Sequence, residues 1–116
     1  MRLAGASRFE RVFADGVRSH SAGFTVLARA NGLDYARLGL AIARRHVRRA
    51  VERNRLKRRV RESFRRHQTA LCGLDVVVVS RPTLARQGRQ DLDAMLETHW
   101  SDILRRLSDG SGSRPD

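Results

Sequence analysis

The chain has 116 residues, enough for one domain with a modest core and too few for two. Its 24 Lys and Arg against 12 Asp and Glu give a formal net charge of +12, which points to a polyanionic partner and away from a membrane or a small-molecule substrate. No apolar run approaches the ~20 residues that cross a bilayer, and no signal-peptide core opens the chain, so a soluble, cytoplasmic protein is expected.

Residues 7–16, SRFERVFADG, read as a short helix. Ser7 and Glu10 form a capping box and Gly16 stops the helix at C′. Phe9, Val12 and Phe13 share a face, at spacing i, i+3, i+4. Such a face is either core or a partly exposed aromatic platform for an unpaired nucleotide, and both readings stay open here. Residues 17–21 suggest a short strand. Beyond it the period becomes two: Phe24, Val26 and Ala28 alternate with Thr25, Leu27 and Arg29. Asn31-Gly32 supplies a turn and residues 37–43 a second strand, which together predict an antiparallel hairpin. In the second strand Leu38, Leu40 and Ile42 take one face. Gly39, Ala41 and Ala43 take the other, leaving space for a packed helix or a ligand backbone.

Residues 44–67, RRHVRRAVERNRLKRRVRESFRRH, hold twelve of the twenty-four basic residues and only two acids, Glu52 and Glu62. Uninterrupted by Gly or Pro, the spacing predicts one helix from 48 to about 66. Leu56, Val60 and Phe64 form its core stripe, with Ala50 at the edge. Opposite lie Arg48, Arg55, Arg58, Arg59, Arg65 and Arg66, with Arg61 and Asn54 on a flank and Lys57 on the border. Like charges at i, i+3 and i+4 cost about 0.2–0.5 kcal/mol per pair. Two acids relieve little of this, and a polyanion relieves more. A solvated face is the ordinary alternative, yet solvation does not require such an imbalance. Arg53 falls in line with Leu56 and Val60, where it either snorkels past the core edge or lines a groove. All the bases except Lys57 are Arg, whose planar fork suits phosphate and stacks on bases.

LDVVVVS at 74–80 is a continuous β-branched run, suited to a central strand covered on both faces. A basic loop with Arg81, Arg86 and Arg89 follows. From 90 to 107 the helical period returns, with Leu92, Leu96, Trp100, Ile103 and Leu107 in a stripe and Asp91, Asp93, Glu97 and Asp102 crowding the segment. Residues 108–116 read as a disordered tail. The expected fold is a single α+β domain over 1–107, with three helices covering a small mixed sheet of about four strands in the order αβββαβα.

No catalytic set emerges. His20, His46, His67 and His99 are scattered; there is no zinc motif, P-loop or dinucleotide fingerprint. Asp91 and Asp93, pictured as a nuclease pair, point apart at i, i+2 on a helix. The lone Cys72 allows no intrachain disulfide and is expected as a small buried or half-buried hydrophobe. On its residues the chain binds nucleic acid. A general RNA chaperone or a ribosome-associated protein fits the charge as well as a dedicated subunit does.

RNRLKRRVRE at 53–62 resembles the RNR signature of the protein subunit of bacterial ribonuclease P. FERVFADG at 9–16 resembles that family's F-x-x-V-F-x-x-G opening, RLGLAIARR at 37–45 its strand before the basic helix, and LDVVVVSRP at 74–82 its last strand. The blocks stand in family order and spacing over about residues 8–107. The resemblance implies a basic cofactor of a ribozyme, whose RNA carries out Mg²⁺-dependent removal of the 5′ leader from precursor tRNA. It implies that Arg53, Asn54, Arg55, Lys57, Arg58 and Arg61 face the catalytic RNA. Phe9, Phe13 and Phe24 would line a leader cleft between the first helix and the sheet, with Arg44 and Arg45 at the end of the third strand. Leu27 stands at a cleft position where many relatives carry an aromatic residue. A left-handed crossover through the basic helix is also implied, against the usual hand.

Overall fold

The computed structural model describes residues 6–86 and 92–113. Its elements follow the expected order: α1 (Ala6–Asp15), β1 (Val17–His20), β2 (Phe24–Ala30), β3 (Arg37–Ala41), α2 (Ala50–Arg66), β4 (Leu74–Ser80) and α3 (Leu92–Ser113), with a 3-10 turn at Pro82–Arg86. The mixed sheet has the order β1-β2-β4-β3.

The valine run dictates that order. Val76, Val77 and Val78 are apolar toward both sides and fully buried, which requires cover on both faces and a partner on both edges. β4 therefore takes an inner place, antiparallel to β2 and parallel to β3. The expected hairpin of β2 with β3 does not form, because β4 lies between them. The hairpin partner of β2 is β1 instead. The Asn-Gly signal still marks a bend: Gly32 has φ 72°, and Asn31 Oδ1 accepts the Leu33 N–H at 2.7 Å. The Asn31 amide donates to Asp75 Oδ1 at 3.0 Å, closing the loop onto β4. Asp75 also receives Arg37 through two bonds of 2.7 and 2.8 Å.

One face of the sheet carries the main core. Phe24, Val26, Ala28, Leu38, Val76 and Val78 pack with Val60 and Phe64 of α2 and with Leu92, Leu96, Trp100 and Ile103 of α3. Both expected helix stripes thus point inward. Phe64 and Trp100 meet edge to face at 6.0 Å, and the Trp100 indole donates to the buried Ser63 hydroxyl at 2.9 Å. The other face is covered more thinly: Val12 of α1 packs on Leu27 and Val77, with Val79 at the margin.

Several local expectations are corrected. α1 begins at Ala6, so Ser7 lies inside the helix rather than capping it. Gly16 is not among the glycines with positive φ. It is required for another reason: a Cβ there would sit 2.5 Å from Val12 O and 2.8 Å from Ala28 O. Cys72 is exposed, not buried, and its neighbour Leu71 takes the core place. α3 runs on to Ser113, through part of the stretch expected as tail. Asp91 and Arg89 lie outside the described residues.

Candidate nucleic-acid interface

α2 forms because its residues favour helix and its apolar stripe finds the core. Its other sides are then left to the Arg residues. Asn54, Arg55, Arg58, Arg61, Arg65 and Arg66 are exposed, and Lys57 and Arg59 are half-buried. Arg59 reaches Asp93 of α3 at 3.6 Å. Among the described residues, Arg55, Arg58, Arg61, Arg65 and Arg66 form no salt bridge. Glu52 and Glu62 do not neutralise this surface, so it keeps its single sign.

Arg53 departs from that pattern. It is half-buried and turns back on the preceding chain, where its guanidinium donates to Val47 O at 3.0 Å and Arg48 O at 2.8 Å. It thereby braces the turn over residues 43–49. That turn starts with the His46 and Val47 amides donating to Ala43 O, and it presents Arg44 and Arg45 to solvent. Ser80 Oγ holds it to the sheet, accepting the Ala43 N–H at 2.8 Å and bonding His46 Nδ1 at 2.7 Å.

The strand register builds a second feature on the α1 side of the sheet. Arg18, Leu27, Val77 and Gly39 form one row across it, and His20, Thr25, Val79 and Ala41 form the next. α1 lies on Leu27 and Val77 of the first row. In the second row Thr25, Val79 and Ala41 are only half-buried and His20 is exposed, which leaves a shallow groove floor beside α1. The basic turn joins the sheet at this same end, through Ser80.

The expected aromatic lining is only partly in place. Phe13 is 37% exposed, and Arg18 donates to its carbonyl at 2.7 Å. Phe9 lies on α1, but its side chain is outside what the structure describes. Phe24 is 0% exposed and belongs to the core on the opposite face of the sheet. Its assignment to the cleft is therefore wrong. Phe24 and Leu27 stand three apart on one strand, and residues an odd number apart face opposite ways. That alternation could have excluded Phe24 and nominated Thr25 in its place.

His99 has a displaced pKa, and its role is structural. Burial pushes the ring down to about 4, against the nearby Asp102 charge that favours protonation. At neutral pH the ring is uncharged. The Ser19 hydroxyl, hydrogen-bonded to Asp102, is the leading cause that holds that carboxyl down near 2, with Arg106 and Arg105 assisting. Ser19 must then accept from His99 Nδ1–H at 2.8 Å, which leaves Nε2 to accept from the Ser21 hydroxyl at 2.9 Å. This chain ties α3 to β1 and offers no free base.

Among the described residues no group of three His, Cys, Asp or Glu could hold a metal ion. No described helix is long and apolar enough to cross a membrane.

Comparison with known proteins agrees with this geometry. The family model for ribonuclease P matches residues 1–104. A ribonuclease P protein component from Nitrosococcus oceani is 49% identical over 109 residues, covering 94% of this chain and 92% of the relative. One from Methylococcus capsulatus is 46% identical over 110 residues, covering 95% and 86%. Among solved structures, the RNase P protein from Thermotoga maritima is similar with a TM-score of 0.74 and 36% identity, over 90% of this chain and 96% of that one.

Proposed function

The chain belongs to the ribonuclease P protein family, components of an RNA-processing enzyme, and from that premise we propose that it binds the catalytic RNA and the 5′ leader of precursor tRNA. In this role it promotes endonucleolytic removal of the leader in the cytoplasm. The observation that carries the reading is the α2 surface, where exposed Arg residues without acid partners stand in a band. Arg forks bind phosphates without reading sequence, which suits a subunit serving many precursors.

Arg55, Arg58 and Arg61, with Asn54 and Lys57, contact the catalytic RNA. Arg53 acts mainly by holding the turn that carries Arg44 and Arg45. The leader lies on the groove floor of Thr25, Val79 and Ala41 beside Phe13, with Phe9 one helical turn away on α1. Thr25 replaces Phe24 in this role. The exposed Phe13 ring stacks on any base, while the small side chains admit the strand closely. Arg44 and Arg45 take leader phosphates at the open end.

In this reading the RNA subunit holds the Mg²⁺, which would supply the activation of water. The protein contributes binding and orientation. To test this, the affinity of the protein–RNA complex for precursor and mature tRNA is measured against RNA alone. The protein should strengthen binding of the precursor only. Equal strengthening of both tRNAs would refute leader recognition.

A further inference from the structure

A cavity of about 450 Å³ lies between the basic turn, the first turns of α2 and the segment around Leu84 and Leu92. It is on the side of the sheet away from the groove, and of its lining the preceding reading uses only Arg45 and Arg55. Its lining combines two chemistries. Val47, Leu56, Leu84 and Leu92 supply apolar surface, while Arg45, Arg48 and Arg55 stand around it, with Glu52 the only acid among the described lining residues. Arg59 also lines it and is shared with Asp93. The volume falls within the roughly 300–1,000 Å³ of small-ligand sites.

A second, independent observation comes from His46, which lines the same cavity. Its Nδ1 is bonded to Ser80 Oγ at 2.7 Å. Its Nε2 is the single buried side-chain polar atom among the described residues that has no hydrogen-bond partner. Buried polar atoms are nearly always paired in native proteins, so this covered atom, in a residue that lines the cavity, calls for a partner from outside the chain.

Relying on the reading above that the partner is RNA, we propose that this cavity receives one unstacked nucleotide of the bound strand. A phosphate alone would need the Arg rim and have no use for four apolar side chains beneath it. A paired base would first have to unpair and unstack, a cost that an unpaired one does not carry. An unpaired nucleotide matches every part of the lining: its base faces are apolar, its base edge is polar, and its phosphate is anionic. The base lies against Val47, Leu56, Leu84 and Leu92, and its edge bonds His46 Nε2 once the rim side chains part. Arg48 and Arg55 take the flanking phosphates. The site would give α2 a local anchor that a purely electrostatic face lacks.

The test uses the full-length protein and NMR of its His46 ring nitrogens and of the Leu56, Leu84 and Leu92 methyl groups. Adenosine 5′-monophosphate, uridine 5′-monophosphate, ribose 5-phosphate and inorganic phosphate are titrated in turn. The nucleotides should shift these signals together and bind about tenfold or more tightly than ribose 5-phosphate, given the apolar base surface removed from water. Equal affinity for ribose 5-phosphate or phosphate would mean an anion site and overturn the proposal. Absence of nucleotide shifts in a protein that still binds catalytic RNA would also overturn it, leaving the function above intact. Loss of all binding to catalytic RNA would remove that function and this inference with it.

Discussion

Replacing Arg58, Arg61 and Arg65 by Gln separates RNA binding from folding. All three side chains are exposed and lie outside the cavity lining. The substitution relieves four repulsive spacings, 55 with 58, 58 with 61, 57 with 61 and 61 with 65, each worth about 0.2–0.5 kcal/mol. It also removes the attractive spacings of Glu62 with Arg58 at i−4 and Arg65 at i+3, which form no salt bridge in the structure and are worth at most the same amount with opposite sign. Stability should therefore equal or exceed that of wild type, by at most about 1 kcal/mol, in a urea titration. RNA binding should change greatly. If each Arg neutralises one phosphate of structured RNA, the slope of log K against log salt loses about 0.9 per contact, or roughly 2.7 in total. Were that counterion release the whole contribution, affinity at 0.1 M salt would fall by up to about 500-fold. The assay is filter binding to a bacterial ribonuclease P RNA from 0.05 to 0.5 M salt. An unchanged slope, even with weaker binding, would refute phosphate contact by this face.

Other expectations follow from single side chains. Phe13→Ala should leave the melting temperature nearly unchanged while lowering preference for precursor over mature tRNA by about 5-fold or more, the value of one stacked base. Phe24→Ala should do the reverse, costing about 3–5 kcal/mol through the cavity it leaves, with the preference kept in whatever protein remains folded; the two variants are compared by thermal melts and competition binding. Gly16→Ala should destabilise by about 1–3 kcal/mol as overpacking against backbone, because the added methyl meets the Val12 and Ala28 carbonyls. A wild-type melting curve for that variant would contradict the close approach. Stability should fall as pH drops from 6.5 to about 4, since the unfolded chain takes up a proton that buried His99 refuses. The full effect is up to about 3 kcal/mol. Asp102 adds a further loss between 3.8 and about 2 as its carboxylate becomes protonated in the unfolded chain first. Urea midpoints at pH 7.0, 5.5 and 4.5 in wild type and His99→Gln test the first step, and parallel curves for both proteins would refute it.

The sequence pattern was most informative where one residue type repeats at one period. The valine run predicts a central strand, and its burial on both faces bears this out. The stripes Leu56–Val60–Phe64 and Leu92–Leu96–Trp100–Ile103 predict the faces of two helices correctly. Local signals failed where a distant partner decided the outcome. Asn31-Gly32 is a strong turn signal, but which strand β2 pairs with depends on β4, more than forty residues later in the chain. Gly16 looked like a helix stop by conformation, whereas its necessity is the carbonyl of Ala28 on another element. Arg53 was ambiguous from its helical angle alone, and the two carbonyls it bonds lie in a turn with no periodicity. The Phe24 error is of a different kind: period-two alternation, already visible in residues 24–29, was enough to place it opposite Leu27. The cavity beneath Arg45 and Arg48 had no sequence signal, since its walls come from four separate segments.

The central claim is tested most directly by reconstitution. A bacterial ribonuclease P RNA is incubated with a 5′-labelled precursor tRNA at low Mg²⁺, with this protein, without it, and with the protein alone. Efficient 5′ cleavage is expected only when RNA and protein are present together. Cleavage by the protein alone, or no gain over RNA alone, would contradict the assignment.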